Sequence, residues 1–293
     1  MLRDTGERLL PDEHRETLIH AEHLARYRLA ASLVQGRRVL DAACGEGYGT
    51  ALLAEAGARS AVGVDNAEEA VSHARAKYGL DYRQAGVTEL PFVDGSFDVV
   101  VSFETIEHVA DPPSALGEFR RVLTEDGLLI VSTPNSRTYR IGNPYHVREY
   151  DTAEFVDLLG TYFPSVRPMY QQSWVMSSIL DDEQLRLDDG RRALDLEVTK
   201  VAGQDPGEEV YTVAVCANDA IDLPAQVGVA TGVLELYGFL EVIEDLERRA
   251  AVAEGKAAAS ETKAREAKDR MKEERRDRRR VARKLKRLKQ ARD

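Results

Sequence analysis

The stretch VLDAACGEGYG at residues 39–49 constrains the fold of this chain more than any other. An apolar, strand-like run ends in Gly45, Gly47 and Gly49, and a helical pattern follows at once. A strand, tight turn and helix of this kind presents backbone N–H groups and a helix N-terminus to a ligand, with no Cβ in the way. Asp65 ends the next apolar run, where a carboxylate can accept hydrogen bonds from both ribose hydroxyls of an adenosine ligand. The pattern predicts a nucleoside-cofactor site.

Strand and helix signals alternate around this stretch. Strands are predicted near 37–43, 60–65, 82–87, 97–103 and 127–133, and helices near 48–57, 67–78 and 113–123. This order predicts an α/β fold, with a mostly parallel sheet covered by helices on both faces. Further predictions are a helix over 13–34, a capped helix start at Asp151, late strands at SVRPMYQQ and VYTVAVCA, and an acidic loop over 180–208.

The charge pattern of the loop narrows the choice of cofactor. Asp41 lies four residues before Gly45, and no basic residue follows that could hold a diphosphate. A carboxylate at this place repels a pyrophosphate and attracts a cationic amino group. The expected ligand is an adenosine with an amino-acid tail and no phosphates, a description that S-adenosylmethionine fits.

Four stretches in succession resemble the motifs of the class I S-adenosylmethionine-dependent methyltransferases. They are VLDAACGEGYG, AVGVDNAEEAV, LPFVDGSFDVVVSFETIEHVADP and GLLIVSTPN, and with the residues before them they cover roughly 20–160. The resemblance implies a methyltransferase with a Rossmann-like sheet of seven strands, the last of them antiparallel. VYTVAVCA could supply that antiparallel strand.

The resemblance also implies the contacts to the cofactor. Gly45 and Gly47 would pack under its methionine part, Asp41 would lie near its ammonium group, and Asp65 would bind the ribose. The remaining cofactor positions are Ala43, Asn66, Gly86, Val87 and Phe103, with Asn66 beside the adenine. One position departs from the family pattern: Gly86 stands where many relatives have an acidic residue facing the adenine amino group. The backbone of Val87, water or another side chain must then read the adenine edge.

The stretch HAEHLARY precedes the first strand and could form a lid over the cofactor. His23, Arg26 and Tyr27 share one face of a helix by their spacing. Arg26 could pair with the methionine carboxylate, and Tyr27 could pack near the sulfonium in a cation–π geometry. The alternative is a helix that packs on the edge of the sheet and leaves the arginine at the surface.

The string E-T-I-E-H follows the fourth strand, beside the expected position of the methyl group. On one helical turn Glu104, Glu107 and His108 would share a face. His108 is then the candidate general base, with Glu107 as its catalytic neighbour and Glu104 as a substrate contact. Two alternatives stay open: the residues pin the turn by hydrogen bonds, or they hold a divalent metal, which we do not favour. The same string resembles the ubiquinone-pathway O-methyltransferases.

The loop after the fifth strand is rich in polar and aromatic groups. Tyr139, Asn143, Tyr145 and His146 are candidate substrate contacts, because loops at the carboxyl ends of parallel strands bind ligands. The strings EHLARY and NPYHVREY resemble a bacterial subgroup associated with the assembly of surface polysaccharides and glycans. That resemblance implies a sugar, nucleotide-sugar or glycan hydroxyl as methyl acceptor.

The chain combines an acidic body with a basic end. Its net charge is −11, yet residues 256–293 have 17 Lys and Arg against 7 Asp and Glu. Residues 231–293 lack proline and place Leu236, Leu240, Ile243 and Ala250 near heptad spacing. We expect a long helix that forms a coiled coil, with a solvated single helix or disorder as alternatives. It could mediate homo-oligomer formation, bind a partner protein or adsorb on an anionic membrane. The basic end lacks interleaved aromatic residues, and no N/D-P-P-Y/F signature follows the fourth strand, so nucleic acid is an unfavoured partner.

Three further features of the sequence indicate a cytoplasmic protein. The start of the chain lacks a signal-peptide pattern, no 18-residue apolar stretch occurs, and the two cysteines lie in apolar runs. The predicted organisation is an N-terminal helical lid over 1–36, a methyltransferase domain over 37–220 and a charged helix over 231–293. The competing hypothesis is a cofactor-binding scaffold with little or no catalysis that acts through its C-terminal helix.

Overall fold

A computed structural model of the chain describes most of its first 231 residues and parts of the rest. The described residues are 8–14, 17–139, 143–186, 194, 197–222, 225–231, 238–253, 256, 268, 270–272, 274–276 and 279–280. The chain divides into two units, residues 1–232 and 233–293, and each is described by itself.

The first unit is built on one sheet of seven strands in the order β3-β2-β1-β4-β5-β7-β6. The strands are β1 Arg38–Ala42, β2 Ser60–Asp65, β3 Asp81–Gln84, β4 Phe97–Ser102, β5 Leu123–Pro134, β6 Ser165–Gln171 and β7 Tyr211–Ala217. β7 runs antiparallel to both of its neighbours, and the other adjacent pairs are parallel. The predicted Rossmann-like sheet, mostly parallel with an antiparallel last strand, is confirmed.

Helices cover both faces of this sheet. They are α1 Pro11–His14, α2 Leu18–Ala31, α3 Tyr48–Glu55, α4 Glu68–Tyr78, α5 Pro112–Val122, α6 Thr152–Gly160 and α7 Asp182–Leu185, with a 3₁₀ turn at Ile106–His108. α5 and α6 bury Phe119 and Phe155 in one core, and α2 and α3 bury Leu29 and Leu53 in another. The strands between them are buried on both faces, which explains their almost continuous apolar sequence.

Three boundaries differ from the sequence prediction. The helical pattern over 13–34 is divided between α1 and α2, because Thr17 caps the start of α2 by accepting a hydrogen bond from the His20 N–H. β5 begins four residues early, since Leu123 already pairs with Phe97 of β4. β3 ends at Gln84, so Gly86 lies in the turn after the strand. The capping box at Asp151 is present as predicted.

The carboxyl ends of the parallel strands form one edge of the sheet, and β7 contributes its beginning to the same edge. Tyr211, the first residue of β7, pairs with Pro134 at the end of β5 and with Gln171 at the end of β6. Ligands of open α/β sheets bind outside this edge. A ligand of this chain is therefore expected at this edge of the sheet.

The second unit is helical over residues 238–253, and every described residue of this stretch is exposed. Leu236, one of the predicted heptad positions, lies outside the described residues, and a coiled coil stays a prediction. In the described part of the chain, no helix combines the length and apolar character needed to cross a membrane.

Candidate active site

The glycine loop between β1 and α3 owes its glycines partly to packing within the protein. Gly45 and Gly47 have positive φ angles of 55° and 96°, which favour glycine. A Cβ on Gly47 would lie 2.6 Å from the Cβ of Ala74 in α4, whereas a Cβ on Gly45 would meet only Arg8, at 3.4 Å. Glycine is thus required at position 47 because α4 packs directly against it. At Gly45 the missing side chain leaves the space beside the loop open. Ala43 also has a positive φ, of 68°, and is strained for a residue with a side chain.

Asp65 joins the glycine loop to the end of β2. One of its carboxylate oxygens accepts a hydrogen bond from the Gly45 N–H and the other from the Ala67 N–H, each at 2.9 Å. A carboxylate has about four acceptor positions. Both oxygens can therefore accept a further hydrogen bond, as the hydroxyls of a ribose would require.

Asp41 is a fully buried carboxyl group at the end of β1. It accepts hydrogen bonds from the Thr50 hydroxyl at 2.7 Å and from the Tyr27 hydroxyl at 3.1 Å. Burial, with a smaller contribution from the charge of Asp65, raises its pKa to about 7, although the two hydroxyl donors oppose the shift. A cationic group beside Asp41 would restore the charged carboxylate.

Tyr27 packs α2 against the glycine loop. Its ring contacts Phe103 edge-to-face at 5.1 Å between centroids, and a Cβ on Gly49 would lie 1.9 Å from its ring. Because its hydroxyl donates to Asp41, this residue links α2, α3 and β1. α2 forms a packed wall of the site in the structure. Movement of this segment as a lid stays a prediction.

Arg26, next to Tyr27, is a buried guanidinium group with 2% of its surface exposed. Its Nη1 donates to the Gln171 side chain at 2.8 Å and lies 3.9 Å from the Glu104 carboxylate, and its plane lies over the ring of Tyr211. Nε and Nη2 have no hydrogen-bond partner among the described residues. These two nitrogens form the side of a guanidinium that binds a carboxylate through two parallel hydrogen bonds.

The turn after β4 holds two carboxyl groups and a backbone strained at Glu104, where φ is 49°. Glu104 accepts a hydrogen bond from Ser132 at 2.6 Å, and Glu107 accepts one from Thr133 at 3.2 Å. Burial and the charge of Glu104 raise the pKa of Glu107 well above its usual value. Oε1 of Glu107 is buried without a partner among the described residues.

Two histidines meet at the outer side of this turn. The rings of His108 and His146 are in edge contact at 4.8 Å between centroids. Nδ1 of His108 donates to the Tyr145 carbonyl at 3.1 Å, and Nδ1 of His146 donates to the Glu149 carboxylate at 3.2 Å. Tyr139 stacks on His146, so imidazole and phenol rings line one side of the site.

The loop that carries His146 is fixed by its backbone. The N–H groups of Val147 and Arg148 both donate to the Glu107 carbonyl, at 2.8 and 3.1 Å. Asn143 accepts a hydrogen bond from the Tyr145 N–H, which tightens the turn before the histidine. The E-T-I-E-H string therefore positions a second loop as well as its own side chains.

A metal held by Glu104, Glu107 and His108 was one alternative from the sequence. In the structure Glu104 turns toward Ser132 and Arg26, and the closest group of ligand atoms comes from Glu107, His108 and His146, all within 4.8 Å of one another. The donor set is a carboxylate and two imidazoles, which suits a transition metal. This arrangement replaces the set expected from the sequence.

The structure thus separates the predicted residues into three neighbouring groups. Tyr27, Asp41 and Phe103 lie around the glycine loop. Asn66, Gly86 and Val87 lie at the ends of β2 and β3. The third group lines the side near β4, β5 and the start of β7, and consists of Arg26, Glu104, Glu107, His108, Tyr139, Asn143, Tyr145 and His146. Asn66 and Gly86 are exposed, and a Cβ on Gly86 would meet only Thr88, at 4.0 Å.

Sequence reasoning missed the residues that hold Arg26 in place. Glu22 accepts hydrogen bonds from the Tyr211 hydroxyl at 3.0 Å and from the Ser173 hydroxyl at 2.7 Å. The Gln171 side chain donates to the Glu22 carbonyl and accepts from Arg26. Tyr211 could have been found from its position at the start of the antiparallel strand, because that start lies at the edge of the sheet where the parallel strands end. Gln171 and Ser173 carried no local signal.

Comparisons with known proteins show which families and folds the chain resembles. The sequence model described as "Methyltransferase domain" matches residues 40–131. A "Probable S-adenosylmethionine-dependent methyltransferase" of Mycolicibacterium smegmatis is 43% identical over 163 residues, which are 54% of this chain and 63% of that protein. A "Ubiquinone biosynthesis O-methyltransferase" of Azorhizobium caulinodans is 41% identical over 107 residues, which are 35% of this chain and 42% of that protein. The matched region spans less than two thirds of either relative.

A solved structure supports the fold. A methyltransferase structure from Thermotoga maritima superimposes with a TM-score of 0.52 at 23% identity, over 73% of this chain and 97% of that one. The sheet order, the glycine loop with Asp41 and Asp65, and the matched family region agree with one another. Residues 40–131 therefore resemble the methyltransferase domains of the class I S-adenosylmethionine-dependent type, and the sheet has the fold of such a domain.

Proposed function

We propose that the chain transfers the methyl group of S-adenosylmethionine to a hydroxyl, or an amine, of a small molecule. The observation that carries the proposal is the buried Arg26, whose Nε and Nη2 have no partner among the described residues. Together with Asp41 and Asp65 it offers a cation and two carboxylates along one edge of the sheet. S-adenosylmethionine presents a carboxylate, an ammonium group and a ribose, which match these three groups.

Bound S-adenosylmethionine supplies an electrophilic methyl group, and the protein supplies alignment and a proton acceptor. The residues after β4 and β5 are the proposed acceptor side. Because Nδ1 of His108 donates to a backbone carbonyl, the neutral ring carries its lone pair on Nε2. We assign His108 as the base that takes the proton of the acceptor. Glu107 fixes the turn below it through Thr133 and the 147–148 backbone.

Two observations bear on the class of the methyl acceptor. The printed name of the Azorhizobium relative, an O-methyltransferase, favours a hydroxyl. The ring of Tyr139 stacks on the imidazole of His146. A surface of such rings suits a flat or sugar-like ligand with several hydroxyls. We propose a sugar, nucleotide-sugar or glycan hydroxyl, as the sequence resemblance implies.

Two alternatives belong to the same site. A metal at Glu107, His108 and His146 would bind the acceptor oxygen in place of a base, and turnover unchanged by EDTA would dismiss it. A scaffold without catalysis would bind S-adenosylmethionine and transfer nothing. The paired carboxyl groups and the two oriented histidines favour catalysis over a scaffold.

The carboxylate contact is tested by Arg26→Lys, which keeps the positive charge and loses the paired donors. We expect S-adenosylmethionine affinity by calorimetry to fall about 10- to 100-fold. Arg28→Lys on the same helix is the matched control. A cofactor analogue without the carboxylate should bind both proteins equally, which separates a lost contact from a damaged fold. Equal S-adenosylmethionine binding by the Arg26 variant would remove this residue from the site.

Transfer itself is tested by the release of S-adenosylhomocysteine in the presence of sugars, nucleotide sugars and glycans. Methyl transfer to one of them that is lost in His108→Asn, with cofactor affinity kept, would support the assigned base. Failure to bind S-adenosylmethionine at millimolar concentration would reject every version of the proposal. Binding of S-adenosylmethionine without transfer to any hydroxyl or amine acceptor would leave the non-catalytic scaffold as the remaining hypothesis.

The cell compartment and partners are also proposals. We propose a cytoplasmic enzyme in which the C-terminal helix mediates contact with another protein chain. The basic residues beyond 256 could in addition adsorb on an anionic membrane surface, without inserting.

A further inference from the structure

A short segment before α2 packs on the first unit beside α4. It spans residues 8–14, and its Leu9 and Leu10 are only 9% and 5% exposed. The Asp12 carboxylate accepts a hydrogen bond from the Lys77 ammonium group of α4 at 2.7 Å. Two buried leucines and an ion pair therefore hold this segment against the body of the unit.

Arg8 is the first residue of this segment, and its side chain lies beside the glycine loop. A Cβ on Gly45 would lie 3.4 Å from the Arg8 Cγ and 3.8 Å from its Cδ. The aliphatic part of the arginine is therefore within van der Waals distance of the open side of Gly45. The guanidinium group lies near the first turn of α4, where Nη1 is 3.6 Å from the Glu69 carboxylate. The side chain is 15% exposed, so protein covers most of it.

One nitrogen of this guanidinium group is buried without a hydrogen bond. Nη1 of Arg8 has no hydrogen-bond partner among the described residues, because 3.6 Å to Glu69 is too long for one. The Glu69 side chain is 60% exposed, so water competes for its carboxylate. A buried donor whose hydrogen bond is not made lowers the stability of the folded state. Nη1 is therefore suited to an acceptor that a ligand brings to the loop.

Gly45 connects Arg8 with the proposed ribose position. The Gly45 N–H donates to the Asp65 carboxylate at 2.9 Å, and the aliphatic part of Arg8 lies beside the same glycine. An ionised carboxylate only accepts hydrogen bonds, so ribose hydroxyls bound to Asp65 act as donors toward it. The oxygens of these hydroxyls keep lone pairs that can accept in turn. A cationic donor such as the Arg8 guanidinium group complements these oxygens.

We propose that Arg8 binds the ribose of S-adenosylmethionine, with Nη1 donating to a hydroxyl oxygen while Asp65 accepts from the hydroxyl groups. Residues 8–14 then cover the ribose from outside, and Arg26 of α2 binds the methionine carboxylate. The two arginines thus contact different parts of the cofactor. This inference rests on the proposed function, because it takes S-adenosylmethionine as the ligand.

Arg8→Met removes the guanidinium group and keeps most of the aliphatic part of the side chain. We expect S-adenosylmethionine affinity, measured by calorimetry, to fall about tenfold in this variant. Arg8→Lys keeps the charge and loses the planar donor, so its affinity should lie between those of Arg8→Met and the native chain. Arg59→Met is the matched control, because Arg59 is exposed and precedes β2 at the edge of the sheet opposite to Asp65. Its affinity should equal that of the native chain.

Two analogues of S-adenosylhomocysteine, one without the 2′ hydroxyl and one without the 3′ hydroxyl, identify the part of the cofactor that Arg8 contacts. S-adenosylhomocysteine itself should bind Arg8→Met about tenfold more weakly than it binds the native chain. One of the two analogues should bind both proteins equally, because the oxygen that accepts from Arg8 is absent from it. A loss of affinity that persists in full with both analogues would overturn the ribose contact.

The same measurements separate a failed cofactor site from a failed Arg8 contact. A native chain that does not bind S-adenosylmethionine would reject the proposed function itself. Native binding that both Arg8 variants leave unchanged would reject Arg8 as a cofactor residue and leave the proposed function intact. The midpoint of thermal unfolding without cofactor should be the same in the variants and the native chain, since Nη1 makes no hydrogen bond to the described residues. A lower midpoint in both variants, together with weaker binding, would show a structural role and overturn the proposal.

Discussion

Asp41 shows how one buried carboxyl group can select a cationic ligand. Its pKa is raised to about 7 because it is removed from water, so the free protein holds it partly neutral at physiological pH. An ammonium group beside it binds the charged form only. Cofactor binding should therefore release a proton below pH 7, and the affinity should rise with pH until the carboxyl group is ionised.

We expect S-adenosylmethionine to bind on the order of tenfold more tightly at pH 7.5 than at pH 6. Calorimetry in buffers of different ionisation enthalpy measures the proton released at pH 6. Asp41→Asn should bind more weakly and lose this pH dependence, while keeping hydrogen bonds with Thr50 and Tyr27. A pH dependence that persists in the variant would place the titrating group elsewhere.

Gly86 is the residue at which this chain departs from the pattern of the methyltransferases that it resembles. A side chain would be accommodated there, since a Cβ would meet only Thr88, at 4.0 Å, and the backbone is not left-handed. We expect Gly86→Asp to restore an acceptor for the adenine amino group. One added hydrogen bond corresponds to about 0.5–1.5 kcal/mol, or roughly a two- to tenfold gain in affinity. Gly86→Ala should leave the affinity unchanged, and an equal gain in both variants would point to backbone stiffening.

At the scale of elements, periodicity predicted the sheet and most helices because burial on two faces leaves a clear apolar pattern. The strand over 60–65 and the capping box at Asp151 follow from signals within a few residues. The contacts of Arg26 do not follow from local signals, since its hydrogen bond to Gln171 joins residues that are 145 positions apart along the chain. Nor does local sequence show that His146, rather than Glu104, joins Glu107 and His108.

The contact between α2 and α3 depends on the absence of one Cβ. In Gly49→Ala the new atom would lie 1.9 Å from the Tyr27 ring and displace it from Asp41. We expect the free energy of unfolding to fall by about 1–3 kcal/mol, with loss of cofactor affinity. Gly117→Ala in α5 is the matched control, because nothing lies within 4 Å of its Cβ position. There the helix should gain about 0.5–1 kcal/mol, as measured by urea unfolding. Equal stability of the Gly49 variant would show that α2 can move away, as a lid would.

At the scale of the whole molecule, every proposed cofactor and substrate residue belongs to the first unit, and the exposed helix over 238–253 belongs to the second. The two units also differ in charge: residues 233–293 have 19 basic and 13 acidic residues, and the rest of the chain has 21 basic and 38 acidic residues. An acidic methyltransferase unit disfavours polyanionic acceptors such as nucleic acid, and the basic segment lies on the other unit.

This division predicts that the first unit binds the cofactor without the second. A chain that ends at residue 232 keeps the sheet, the glycine loop and Arg26, so S-adenosylmethionine should bind within about twofold of the full chain when salt screens the surface charges. The midpoint of thermal unfolding should rise with cofactor concentration in both proteins, since a ligand that binds only the folded state stabilises it by mass action. A folded truncated chain that loses more than tenfold in affinity would show that the C-terminal helix contributes to the cofactor site.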